Sequence, residues 1–339
     1  MAATTPKHTE GWAAYDASGR ISPFIFKRRE NGENDVTIKI LYCGMCHTDI
    51  HYARNEWGIT MYPVVPGHEI TGLITKVGTN VSGFKIGDRV GVGCLAASCL
   101  ECDFCKQSEE NYCEKVQFTY NGIFWDGSIT YGGYSSMLVR RPHPGRPAAG
   151  RGGAAALRGG DGVQPNEAPQ HAPSGDEAWV VGLGGLGHVA VKFAKAFGLH
   201  VTVISTSFRK ETRPRAASAP ITSSARTLDF VLDTVSAKHS LGPILNLLKV
   251  NGTLVLVGAP EAPVDLPSFP LIFGKRVVAG SLIGGMRETQ EMLDLCGKHN
   301  ITCDIELVKT SNINEAMNRL SRNDVRYRFV IDIAGQSKL

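Results

Sequence analysis

Residues 180–198 read VVGLGGLGHVAVKFAKAFG. The two valines close an apolar run that begins at Ala178, and behind them Gly182, Gly184 and Gly187 stand in G-x-G-x-x-G spacing. The stretch that follows has helical period and stops at Gly198, and HVTVIS then opens a second strand. Alone the triplet is a weak signal; between a strand and a helix it is a strong one. The first glycine makes the turn, the second lets backbone approach a pyrophosphate, and the third lets the helix pack on its strand. The anion then rests on the helix N-terminus. Gly182, Leu183, Gly184, Gly185, Leu186 and Gly187 are therefore candidate cofactor contacts.

Past the second strand comes the run Ser205, Thr206, Ser207, Phe208, Arg209, Lys210. It holds no acid to accept a ribose 2′-hydroxyl, while its hydroxyls and cations suit a 2′-phosphate. NADP is favoured over NAD, the alternative being a merely solvated basic turn.

Outward from this point the texture divides. Residues 10–140 alternate short β-type runs such as DVTIKILYCG, EITGLITKVG and GDRVGVG with Gly- and Pro-marked turns. From Ala178 strands and helices alternate: LDFVLDTV, GTLVLVG and KRVVAGSLIG read as strands and LGPILNLLK as a helix. The tail RETQEMLDLCGKHN, CDIELVKT, NINEAMNRLSRND, RYRFVIDI reads helix, strand, helix, strand. The class is α/β, a strand-rich domain joined to a doubly wound parallel sheet. Two stretches break the order: 140–177 and 212–226 are rich in Arg, Gly, Pro and Ala without amphipathic period. A long structureless insert in a compact domain is itself a warning.

The chain has 339 residues and a net charge of +4, too small to imply a nucleic-acid partner. No apolar run reaches the ~20 residues that cross a bilayer, no basic–apolar leader opens the chain, and the expected compartment is the cytosol. Nine cysteines there point to metal before disulfides. Cys99, Cys102, Cys105 and Cys113 form C-x2-C-x2-C-x7-C, four thiolates that close a tetrahedron around Zn²⁺ and leave no open position. That zinc is structural; Cys94 beside it reads as core. Cys46, Thr48, His51, His68 and Glu69 come from CGMCHTDIH and VPGHE. Cys46 and His68 are the ligand types a catalytic zinc prefers, and Glu69 is a third ligand or a supporting group. No Ser/His/Asp set, paired carboxylates or basic–aromatic stripe competes with this reading.

Together CGMCHTDIHYARNEWGITMYPVVPGHE, IFWDGSITYGGYSSMLV, VVGLGGLGHVAVKFAKAFGLHVTVISTS and NDVRYRFVIDI resemble the zinc-dependent medium-chain alcohol dehydrogenases, and among them the plant cinnamyl alcohol dehydrogenases. The resemblance implies a GroES-like catalytic domain (1–139), a Rossmann domain (178–284), a return to the first domain (285–339) and a homodimer. It implies that Cys46 and His68 bind catalytic zinc with Glu69 adjacent. Thr48 then passes the substrate proton through the nicotinamide ribose to His51, and Thr234, Gly258, Ser281, Leu282 and Ile283 touch the cofactor. The implied reaction is NADPH-dependent reduction of cinnamaldehydes to the alcohols that feed lignin, with mannitol or aliphatic alcohol oxidation as runner-up. Phe118, Phe124 and Trp125 then line an aromatic pocket or are core.

The family's third catalytic ligand is a cysteine in a run resembling PLLCAGVTVYSPMK, and this chain has no cysteine between Cys113 and Cys296. Reverse-translating Ala154 to Ala168, AAALRGGDGVQPNEA, and reading from the second base of each codon recovers that run. Leu157 as CTG and Arg158 as CGC overlap to give TGC, cysteine. Residues 140–177 are thus an out-of-frame translation of the family sequence, and 212–226 share that origin with a deletion. The parallel-sheet domain is damaged by the loss, and the catalytic site keeps Cys46 and His68 with Glu69, His143 or His171 as substitutes. A remnant that binds only cofactor or a partner is the competing expectation.

Overall fold

The computed structural model describes residues 8–142, 177–205 and 225–335. Thr206 to Lys210, His143, His171 and nearly all of the two aberrant stretches lie outside them. The chain divides into two compact units, Met1–Asp161 with Gly284–Leu339, and Gly162–Ile283.

The first unit carries β1 (His8–Ala14), β2 (Ile21–Lys27), β3 (Val36–Gly44), α1 (His47–Ala53), β4 (Glu69–Val77), β5 (Arg89–Val92), β6 (Leu95–Ala97), α2 (Asp103–Lys106), β7 (Gln117–Phe118), β8 (Gly122–Ile123), β9 (Ile129–Thr130) and β10 (Met137–Arg140). Its centre is the antiparallel pair β3–β4. Gly72 makes that pairing possible, because a Cβ there would stand 2.3 Å from the Lys39 carbonyl oxygen. Ile38, Ile40, Ile70 and Ile74 are buried on these strands and pack with Val64, Val65 and Tyr134. α1 was not foreseen from periodicity. It begins where Asp49 accepts the Cys46 amide at 2.9 Å, an acidic side chain closing the first turn.

The second unit holds β11 (Glu177–Val181), α3 (Gly185–Ala196), β12 (His200–Ile204), β13 (Leu228–Asp233), α4 (Gly242–Leu245), β14 (Leu248–Leu256), α5 (Ser268–Gly274) and β15 (Val277–Gly280). All pairings are parallel, in the order β12-β11-β13-β14-β15, the doubly wound sheet that the β/α alternation predicts. Its core gathers Trp179, Val231, Leu245, Leu248 and Leu254. The helix expected over LGPILNLLK shrinks to Gly242–Leu245. Leu248 leaves it to pair with Leu228, because burial beside β13 outweighs helical propensity.

The chain then returns to the first unit with α6 (Met286–His299), β16 (Ile305–Lys309), α7 (Ile313–Ser321) and β17 (Arg328–Asp332). β17 lies between β16 and β3, and all five of its residues are buried. Phe329 on it is fully enclosed, with the Arg319 guanidinium 4.7 Å from its ring centre. Phe329→Ala is expected to cost about 3–5 kcal/mol in denaturant unfolding through the cavity it leaves; a loss under 1 kcal/mol would mean the C-terminal return does not support the first unit's core.

Candidate active site

The turn between β3 and α1 places Cys46, the turn before β4 places His68, and β4 opens with Glu69. Their donor atoms all lie within 4.8 Å of one another. Asp49, which the sequence reading passed over, organises them. Its Oδ2 accepts the Cys46 amide at 2.9 Å and the Tyr134 hydroxyl at 3.2 Å. Its Oδ1 accepts the Gly67 amide at 3.0 Å and the Tyr120 hydroxyl at 2.8 Å. His68 Nδ1 stands 3.5 Å from the same oxygen, and the His68 ring stacks on Tyr120 at 5.8 Å. Burial alone would raise the Asp49 carboxyl, but His68 and these donors hold it below the ordinary range. Burial and the charge of Asp49 push both phenols well above theirs, so they remain donors. A signal was present: Asp49 stands three residues after Cys46, the position from which an acid closes a helix start.

Glu69 is equally committed. Its carboxylate pairs with Arg328 from β17, and both side chains are buried. Burial works against the guanidinium, yet Glu69, then Cys303, keep it protonated above its usual range. Gly44 leaves room for this carboxylate, since a Cβ there would collide with it. Thr48 lies in the first turn of α1, its hydroxyl 3.6 Å from Cys46 Sγ. His51 follows one turn on; its Nδ1 meets Glu56 Oε2 at 2.5 Å, its ring packs on Trp57, and its Nε2 has no hydrogen-bond partner among the described residues.

A tetrahedral catalytic zinc takes three protein ligands and keeps one position for substrate. The described residues offer Cys46, His68 and one carboxylate shared with Arg328. The four-cysteine lobe fits its metal: the Sγ atoms of Cys99, Cys102, Cys105 and Cys113 lie within 4.8 Å of one another. The Cys102 and Glu101 amides point at Cys99 Sγ from 3.4 and 3.5 Å and draw that thiol down to about 6, whereas burial pushes Cys105 up to about 12. Cys94 is half-buried rather than core, because it ends a short, half-buried link between β5 and β6. Phe118 and Trp125 are exposed, and Phe124 packs at a tilt against Trp125 with Arg29 over its ring, so the trio is not core.

In the second unit the last rung across the sheet reads Ile204, Val181, Asp233, Leu256, Gly280. The residues just beyond these strand ends include Ser205, Gly182, Thr234, Gly258 and Ser281. Residues far apart in sequence thus line the carboxyl edge, where open parallel sheets bind ligands. Leu282 and Ile283 continue from Ser281, which donates its amide to the Leu256 carbonyl at 3.0 Å. Gly182 has φ +90°, and Thr234 Oγ1 would stand 2.8 Å from a Cβ there. A Cβ on Gly187 would stand 2.1 Å from the Gly182 carbonyl oxygen, so α3 packs on the turn only because it is absent. Gly184 is the contrast: its open side meets no protein atom, and it caps α3 without a side chain. Gly185, Leu186 and Gly187 form the first turn behind it, with Leu183 before, a shape suited to a pyrophosphate.

Comparison with known proteins follows the same division. Residues 32–143 match the alcohol dehydrogenase GroES-like domain, and residues 185–298 match the zinc-binding dehydrogenase family. A rice protein (Oryza sativa subsp. japonica) named "Probable cinnamyl alcohol dehydrogenase 6" is 63% identical over 357 aligned positions, covering 99% of each chain. That alignment is longer than the 339 residues here, so it opens gaps in this chain. A cinnamyl alcohol dehydrogenase structure from Sorghum bicolor superposes with TM-score 0.88 at 46% identity over 97% of this chain and 98% of that one. A Helicobacter pylori structure titled as CAD complexed with NADP(H) gives 0.85 at 36%, over 98% and 99%. No helix among the described residues is long and apolar enough to cross a membrane.

Asp49→Ala strands two amides, two phenols and His68 in a buried space. Unfolding free energy is expected to fall by about 3–5 kcal/mol, the range for removing one partner from a buried charged network; an unchanged denaturation midpoint would remove Asp49 from its organising role.

Proposed function

The chain belongs to the zinc-dependent medium-chain alcohol dehydrogenases, and from that premise we propose a cinnamyl-type, NADP-dependent aldehyde reductase whose catalytic zinc centre lacks one protein ligand. The observation that carries the reading is the Cys46–His68 pair held in place by buried Asp49. The 63% identity to a relative named as a probable cinnamyl alcohol dehydrogenase supports hydroxycinnamaldehydes ahead of mannose or aliphatic aldehydes as substrates. Gly182, Gly184, Gly187, Thr234, Gly258 and Ser281 would hold the cofactor, and Ser205 with the run Thr206, Ser207, Phe208, Arg209, Lys210 would suit its 2′-phosphate. Once bound, NADP(H) supplies a hydride for a carbonyl carbon. The chain's own contribution is the hydroxyl of Thr48 beside Cys46, and His51, anchored by Glu56, as the proton's route to solvent. The enzyme works in the cytosol, where its nine cysteines suit the reducing conditions.

The missing thiol favours a second reading for the chain as it stands: cofactor binding without appreciable turnover. Glu69 is a poor replacement because leaving Arg328 would strand a buried cation. Metal analysis of the purified chain should find one zinc, in the cysteine lobe. Restoring the reading frame across the codons for residues 140–177 should bring a second zinc and raise coniferaldehyde reduction at least about 100-fold, the upper range for disturbing a metal's supporting shell alone. Two zincs and ordinary turnover in the unrestored chain would overturn the ligand deficit; NADPH-dependent mannose reduction exceeding that of coniferaldehyde would overturn the substrate class.

We further infer a homodimer formed by the second unit. β15 is an edge strand among the described residues, and beside it α5 exposes Phe269 (72%), Ile272 (69%) and Phe273 (75%). Unpaired strand edges and apolar patches of this kind call for a partner. Sedimentation should give a dimer and Phe273→Asp a monomer; a monomeric wild type would refute the pairing.

A further inference from the structure

Thr234 and Gly258 gain their place from a turn that none of the site residues above explains. The turn leaves β13 at Asp233 and runs through Thr234 and Val235 to His239. Asp233 ends its strand at the carboxyl edge of the sheet with a carboxylate that is 1% exposed. Its Oδ1 accepts the Val235 amide at 3.0 Å, and its Oδ2 meets His239 Nε2 at 2.6 Å. The other ring nitrogen of His239 faces the Ala237 carbonyl at 2.9 Å. A carboxylate oxygen and a carbonyl oxygen thus face the two nitrogens of one ring. The ring therefore spans the turn from a carboxylate to a carbonyl.

What the turn touches makes the tie consequential. The Thr234 hydroxyl donates to the Val181 carbonyl at 2.9 Å, at the point where β11 becomes the glycine turn. The Val235 side chain lies 3.1 Å from where a Gly182 Cβ would be. On the other side, a Cβ on Gly258 would stand 2.2 Å from the Val235 carbonyl oxygen and 2.9 Å from its nitrogen. Gly182 and Gly258 thus close on the two flanks of one residue, Val235. Its amide is held by the Asp233 carboxylate.

We propose that Asp233 and His239 act as a latch that fixes the Thr234–His239 turn and so positions the cofactor seat between the glycine turn and Gly258. His239 is a positioning residue: it acts through Asp233 and Val235. This role rests on the reading that the unit binds NADP(H). Without His239 the buried carboxylate keeps one amide donor, and the turn samples conformations in which Val235 no longer fits between the glycines. Affinity falls by the fraction of time the seat is formed, so a turn ordered one-tenth of the time weakens binding about 10-fold.

The test uses the full chain, with NADPH as the probe. Equilibrium binding by nicotinamide fluorescence and amide hydrogen exchange are measured for wild type, His239→Ala and His239→Gln. The glutamine amide can reach the position of Nε2 and donate to Asp233. His239→Ala is expected to weaken NADPH about 10-fold and to speed exchange of the Val235 amide while the ladder amide of Thr234 stays protected. His239→Gln should restore both. If wild type binds NADPH and His239→Ala binds equally well, or Val235 exchange does not change, the latch is refuted and the cofactor reading stands. Uniformly faster exchange with no rescue by glutamine would make His239 a general structural residue, against the proposal. Failure of wild type to bind NADPH would overturn the cofactor reading and this role with it.

Discussion

A carboxylate with five neighbours governs the first unit. Asp49 draws together the start of α1, the turn before β4 and the phenols of Tyr120 and Tyr134, four stretches that share no sequence proximity beyond the first. A buried negative charge is tolerated only when donors surround it, so each donor is held as firmly as the charge is. His68 gains its ring orientation from this arrangement, through Asp49 on one side and the face of Tyr120 on the other. Cys46 gains its place at the end of the helix from the amide that Asp49 accepts. Cys46 and His68 are thus positioned by a carboxylate that lies outside the Cys46, His68 and Glu69 donor group.

The second unit rests on steric rather than electrostatic necessity. Parallel strands ending on one rung put their following residues in a row, and the row works only because glycines admit backbone contacts that a Cβ would forbid. Here too one buried carboxylate, Asp233, terminates a strand and ties down the turn behind it. The two units use a similar device, an acid that is absent from the reacting chemistry but shapes the groups beside it.

Much of this was legible along the chain. The glycine spacing with its strand and helix, the four-cysteine run and the β-rich texture of residues 10–140 are local patterns, and the structure contains each of them. The short helix α1 escaped notice because it follows a strand with no apolar period of its own, starting only where Asp49 closes its first turn. The helix expected at LGPILNLLK was too long because Leu247 and Leu248 have apolar partners on β13 that a window of sequence cannot see. Asp49 and Asp233 went unremarked for a related reason: an aspartate announces a function only when its neighbours are known.

The sequence by itself determined the inventory of donors. It supplies four cysteines at metal spacing, Cys46 and His68 in their motifs, and no cysteine between Cys113 and Cys296. Tertiary structure decided what those donors are free to do. Glu69 stands next to His68 in sequence and reads as a third ligand or a supporting group, and Arg328, brought in by the C-terminal strand β17, already holds its charge. A motif records which atoms are present; the desolvation that forces a buried charge to keep its partner acts only once distant strands have closed around it.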